Sequence, residues 1–113
     1  MPKQNLTSES APAAVADVTR RLGQNIATAR LRRRMTLEEM AAKAGISRET
    51  ASRVEDGRLT TSIGAYAATL WVLGLHHALG DVGDPDADRE GALLAAARLG
   101  QRARPRKTLR DDF

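Results

Sequence analysis

Apolar residues recur along this chain with the spacing of helix faces. From Val15 onward they follow one another at steps of three and four residues, the period of one face of an α-helix. The members of this first face are Val15, Val18, Leu22, Ile26 and Ala29. They predict a first helix that ends near Arg33 or Arg34. The preceding residues 1–12 are polar, contain two prolines and show no period, which predicts a disordered arm.

A second helix is marked at both ends. Thr36 and Glu39 have the spacing of a capping box, in which the threonine hydroxyl accepts from the amide of Glu39 and the glutamate side chain reaches back. Gly45 can adopt the left-handed conformation of a helix C-cap. The second helix is therefore expected at residues 37–44.

A third helix is expected to begin at Ser47, which is a good N-cap. It turns one apolar edge inward through Ala51 and Val54 and ends at Asp56-Gly57. Its opposite edge is polar. This short helix is therefore expected to expose a polar surface to solvent.

A fourth helix is expected from near Ser62 to Gly74, with Leu75 folding back over its end as in a Schellman motif. Its periodicity predicts that one face is buried. The residues expected on that face are Ile63, Tyr66 or Ala67, Leu70 and Leu73.

The C-terminal part of the chain carries weaker signals. A short fifth helix is expected around residues 76–82, before an Asp-Pro-Asp break at 84–86, and an Ala- and Leu-rich segment predicts a further helix at 88–99. No β-strand alternation occurs. The expected fold class is all-α: a compact bundle of four to five helices at 13–83, then a C-terminal helical segment and basic tail at 84–113.

Charge adds an indication of a polyanionic partner, through its distribution more than its total. The formal net charge of +4 is modest. Between Val18 and Leu37, however, there are six arginines and no acidic residue, and a second basic run lies between Arg98 and Arg110. The absence of cysteine excludes disulfides, and no signal-peptide or membrane-spanning run occurs. A cytoplasmic, nucleoid-associated protein is expected.

The second and third helices are separated only by Gly45 and Ile46. So tight a turn forces the two helices to cross at a large angle, and Ala41 provides a small residue at their contact. Here the chain resembles the Xre and lambda-repressor-like helix-turn-helix family. The segments that carry the resemblance are Gly23–Arg30, Met35–Ile46, Ser47–Gly57 and Leu73–Leu75.

The resemblance implies double-stranded DNA as a partner, with the third helix in the major groove. It implies Arg48, Glu49 and Arg53 as base readers. Further DNA-binding residues are expected nearer the phosphates and in the following loop, namely Ser47, Thr50, Ser52, Arg58, Thr60 and Thr61. It also implies a structural ion pair between Arg30 and Glu55.

Other chemistry is weakly signalled. Asp84, Asp86 and Asp88 have the spacing of a calcium loop but lack its later glycine and glutamate, and the adjacent His76 and His77 make a poor metal pair. No metal, cofactor or catalytic site is expected, and no enzyme. Trp71 is expected in the core or in a dimer interface.

The expected role is a repressor that binds an inverted-repeat operator as a homodimer, because one recognition helix reads too few base pairs. A phage-type repressor, a housekeeping regulator and the antitoxin of a toxin-antitoxin pair share this fold. The segment 88–104 resembles antitoxins that partner HipA-type kinase toxins. A tail disordered from Arg98 to Phe113 would then serve that partner or DNA. The alternative is a protein-interaction module that no longer reads DNA.

Overall fold

The computed structural model describes residues 6–7 and 9–101, which form six helices and no strand. The helices are α1 (Ala13–Arg32), α2 (Leu37–Ala44), α3 (Arg48–Glu55), α4 (Ile63–Val72), α5 (His76–Gly80) and α6 (Arg89–Gln101). The expected all-α class is confirmed. The chain divides into two compact units, one ending at Leu79 and the other beginning at Gly80.

Only part of the predicted N-terminal arm is described. Its described residues include a turn in which the amides of Ser10 and Ala11 donate to the carbonyl of Thr7, at 3.2 and 2.9 Å. The basic tail beyond Gln101, for which disorder is predicted, lies outside the described residues.

Local capping signals set the ends of α2. Both halves of the predicted capping box are present: the Glu39 amide donates to Thr36 Oγ1 at 3.0 Å, and the Thr36 amide donates to Glu39 Oε1 at 2.8 Å. At the other end Gly45 has a φ of 76°, and the Ile46 amide donates back to the Ala41 carbonyl at 3.0 Å. The prediction for this helix is confirmed at both ends.

The core of the first unit lies where α2 and α3 pack against each other and against α1 and α4. Its fully buried large side chains are Ile26, Met40, Val54 and Thr69. Tyr66, Leu70 and Leu73 of the predicted α4 face are also buried, and the Leu75 amide donates to the Leu70 carbonyl at 2.8 Å, which closes the Schellman motif. Ala41 is buried as well.

Three residues predicted to be buried are exposed. Val15 and Val18 lie on the N-terminal turns of α1, before its crossing with α3, and Val18 is 66 % exposed. Ile63 is 73 % exposed because it lies roughly 90° around α4 from the centre of the buried face. Trp71 does not belong to the core either, since it is 59 % exposed. Periodicity identified helix faces but not how far neighbouring helices cover them.

Two glycines allow α1 to cross close to the end of α3. A Cβ atom on Gly23 would lie 2.5 Å from the carbonyl oxygen of Glu55 and 2.6 Å from that of Val54. A Cβ atom on Gly57, which has a φ of 69°, would collide with the backbone of Thr19 and Arg20. The α1–α3 packing therefore depends on backbone-to-backbone contact that larger residues would prevent.

In the second unit, α6 begins with Asp88 as a cap, since Asp88 Oδ1 accepts from the amide of Gly91 at 3.0 Å. None of its residues is buried. Leu93, Leu94 and Leu99 are between 62 % and 72 % exposed. Within the described chain, no helix is long and apolar enough to cross a bilayer.

Candidate nucleic-acid interface

The third helix is fixed to the protein by its inner face. Ala51 and Val54 are completely buried, while Ser47 caps the helix through its hydroxyl, which accepts from the Thr50 amide at 3.0 Å. The same hydroxyl donates to Thr50 Oγ1 at 2.9 Å. Ser47 and Thr50 thus order the first turn of α3.

The outer face of α3 carries the charged residues of the predicted DNA-binding set. Arg48, Glu49 and Arg53 are exposed, and Ser52 is half-buried. The predicted base readers are therefore accessible to a macromolecule that approaches from solvent.

The loop between α3 and α4 is tied to the bundle by a tyrosine. Tyr66 Oη donates to the carbonyl of Arg58 at 2.8 Å, which leaves the Arg58 side chain exposed. Burial raises the pKa of the Tyr66 hydroxyl, with a smaller contribution from the charge of Asp56. The hydroxyl therefore stays protonated and remains a donor at neutral pH.

A shallow groove joins this loop to α3. It is lined by Thr50, Arg53, Thr60, Thr61 and Ser62, so it brings four of the predicted site residues together. The Oγ1 atom of Thr61 is buried and has no hydrogen-bond partner within residues 6–7 and 9–101. Arg48 and Glu49 do not line the groove, because they lie at the other end of the short helix.

The ion pair between Arg30 and Glu55 joins α1 to the end of α3. Arg30 Nε and Nη2 donate to the two carboxylate oxygens at 2.6 and 3.1 Å, and Nη1 donates to the carbonyl of Met35 at 2.8 Å. Only 13 % and 12 % of the two side chains are exposed. The hydrogen bond to Glu55 raises the pKa of Arg30, against the opposing effect of burial. This pair sets the position of α3 relative to α1.

A second ion pair involves a residue that sequence reasoning did not assign to the site. Arg48 Nε donates to Glu38 Oε2 at 2.8 Å, across the turn between α2 and α3. Hydrogen bonding to its own backbone amide and to Arg48 lowers the pKa of Glu38. No local pattern reveals this contact, because the residues are ten positions apart and meet only through the crossing of the two helices.

Two short helices at a tight turn, with the second helix buried on one side and polar on the other, define a helix-turn-helix domain. The family model described as "Helix-turn-helix domain" matches residues 21–81, more than half of the chain, and this protein belongs to that family. The comparisons with curated proteins and with solved structures found no match. Membership indicates a DNA-binding regulator, and the domains of this family are typically non-enzymatic.

Proposed function

We propose that the protein is a sequence-specific transcriptional repressor that binds double-stranded DNA in the cytoplasm, in association with the nucleoid, through α3. The observation that carries the proposal is the exposed outer face of this helix, with Arg48, Glu49 and Arg53 on a segment anchored by its buried side. Arginine can donate to both major-groove acceptors of guanine, and glutamate can accept from the cytosine amino group. Side chains of the groove, including Thr60, provide hydroxyls for phosphates.

Arg53→Ala is expected to reduce affinity for the operator by about 1–3 kcal/mol, because one base contact is lost from an exposed position. The thermal unfolding curve should not change. The measurement compares binding to the operator with binding to a scrambled duplex. Lys43→Ala, which removes a charge from the exposed end of α2, is the control and should affect both duplexes alike. Wild-type operator affinity in Arg53→Ala would contradict the placement of α3 in the groove.

A homodimer is the second part of the proposal, and the exposed side of α4 is its candidate interface. No Asp, Glu, Lys or Arg occurs between Arg58 and Asp81. Trp71 lies on the side of α4 opposite the buried face, and Ile63 and Leu75 are exposed on the same element and just after it. An isologous contact places a surface against its own copy, so an uncharged apolar surface avoids like-charge repulsion. The two recognition helices are expected to lie about 34 Å apart.

Trp71→Asp is expected to weaken the dimer by several kcal/mol, since a two-fold axis places the two new carboxylates in one apolar interface. Sedimentation at micromolar concentration gives the oligomeric state. Leu31→Asp is the matched control, because Leu31 is 63 % exposed on α1 and lies outside the proposed interface. A wild-type protein that remains monomeric even on DNA would contradict the dimer.

We also propose that the repressor is an antitoxin whose C-terminal segment binds a HipA-type kinase toxin. The supporting observation is the exposure of Leu93, Leu94 and Leu99 on α6, because apolar side chains that the chain leaves uncovered favour a protein partner. Deleting residues 101–113 is expected to leave operator binding nearly unchanged and to abolish the complex with a kinase encoded by the neighbouring reading frame. Uniformly weaker DNA binding, with a salt slope lower by about 0.9 per lost contact, would assign the tail to phosphates instead.

If the domain instead holds only a protein partner, wild type will show no preference between DNA sequences. The polar residues kept on the outer face of α3 favour the DNA-binding alternative.

A further inference from the structure

We infer that Glu38 is a positioning residue that orients Arg48 for base reading and thereby sets specificity at one base pair. The inference rests on the proposed function. It concerns a residue of α2 that does not itself need to contact a base.

The geometry of the pair leaves the reading end of the arginine free. Glu38 engages Nε, at 2.8 Å, and no other hydrogen bond to the Arg48 guanidinium is found within the described chain. The two terminal nitrogens therefore remain available as a pair of parallel donors. A guanine presents two acceptors, O6 and N7, to such a pair in the major groove. Glu38 thus occupies the one nitrogen that an end-on contact does not use.

The carboxylate is held in place from its own side. Glu38 is the second residue of α2, directly after the capping box that orders the start of this helix. Its carboxylate also bonds its own backbone amide, which is the largest cause of its lowered pKa. The acceptor is therefore charged and anchored at neutral pH, and a flexible arginine bonded to it loses rotamer freedom before DNA arrives.

The pair has little to contribute to folding. The side chains of Arg48 and Glu38 are 59 % and 65 % exposed, and exposed ion pairs add little to stability. The contrast with the nearly buried pair of Arg30 and Glu55 is direct. A carboxylate near the phosphates also opposes non-specific DNA binding through charge repulsion. Orientation of Arg48 explains why a favourable use remains for such a charge.

The test is selection of bound sequences from a random duplex pool by the full chain. The base pair read by Arg48 is the position whose preference disappears in Arg48→Ala. Glu38→Ala is expected to reduce preference at that same position roughly tenfold, while preferences at other positions persist. Glu38→Gln removes the same charge but keeps an acceptor oxygen, so it should retain most of the preference. In the Arg48→Ala background, Glu38→Ala should change no preference.

Two outcomes overturn the inference alone. One is an unchanged preference in Glu38→Ala; the other is a gain in operator affinity larger than the gain on random DNA, which would mean that Glu38 withholds Arg48 from the bases. If wild type enriches no sequence, the proposed function fails and the inference fails with it. Unfolding curves of the variants should match that of wild type.

Discussion

Gly57→Ala is expected to lower the free energy of unfolding by about 4 kcal/mol, through two effects that act together. A left-handed backbone costs a residue with a side chain roughly 1–2 kcal/mol, and a methyl group forced into a packed contact adds about 1–3 kcal/mol. At Gly57 the added carbon would meet the backbone of Thr19 and Arg20, which cannot move aside as a flexible side chain could. A loss of this size is a large share of the usual 5–15 kcal/mol.

Thermal unfolding followed by circular dichroism measures this effect, with an expected fall in Tm of about 15 °C or more. Gly45→Ala is the matched control. Gly45 has a similar φ, 76° against 69°, but a Cβ atom there has no neighbour within 4 Å. The control should therefore show only the conformational part of the loss. Equal losses in the two variants would show that α1 does not cross α3 as closely as the structure indicates.

Glu55→Ala is expected to destabilise the protein by about 3 kcal/mol. Removing one partner of a buried ion pair costs about 3–5 kcal/mol, because the other charge is left without compensation. The small exposure of Arg30 and Glu55, 13 % and 12 %, places the expected value at the lower end. The loss should appear in chemical unfolding as a lower midpoint with an unchanged slope.

Glu38→Ala is the comparison for Glu55→Ala, since each glutamate accepts from the Nε atom of an arginine on another helix. It should leave the unfolding midpoint unchanged, because its pair is exposed. A double variant, Arg30→Met with Glu55→Leu, should recover much of the stability lost in Glu55→Ala, since two apolar side chains leave no charge unpaired. A Glu55→Ala midpoint equal to that of Glu38→Ala would contradict the structural role of the pair.

The ends of the helices were predictable because capping depends on residues close together in the chain. Thr36 and Ser47 cap α2 and α3 as the sequence indicated, and Gly45 takes the predicted left-handed conformation. The end of α1 is the informative exception. Arg34 adopts a φ of 53° there and the Met35 amide donates to the Arg30 carbonyl, so the chain makes a Schellman-type turn without the glycine that would have marked it.

The burial of individual residues was less predictable, because it depends on where neighbouring helices end. Val15 and Val18 continue the apolar face of α1, yet they lie before the point at which α3 crosses it. Ile63 follows the spacing of the α4 face but sits at its edge. Periodicity is a property of one helix, whereas burial is a property of at least two.

The sequence by itself determined the all-helical class, the turn at Gly45 and which polar residues lie on the outer edge of α3, since each depends on local propensity, capping or periodicity. Only the tertiary structure decided that Glu38 pairs with Arg48 and that Tyr66 holds the loop at Arg58. It also decided that glycine is required at residue 57 for close packing as well as for its φ. The physical reason is the same in each case: these contacts join residues of different elements, and their distances are set by the angles at which packed helices cross.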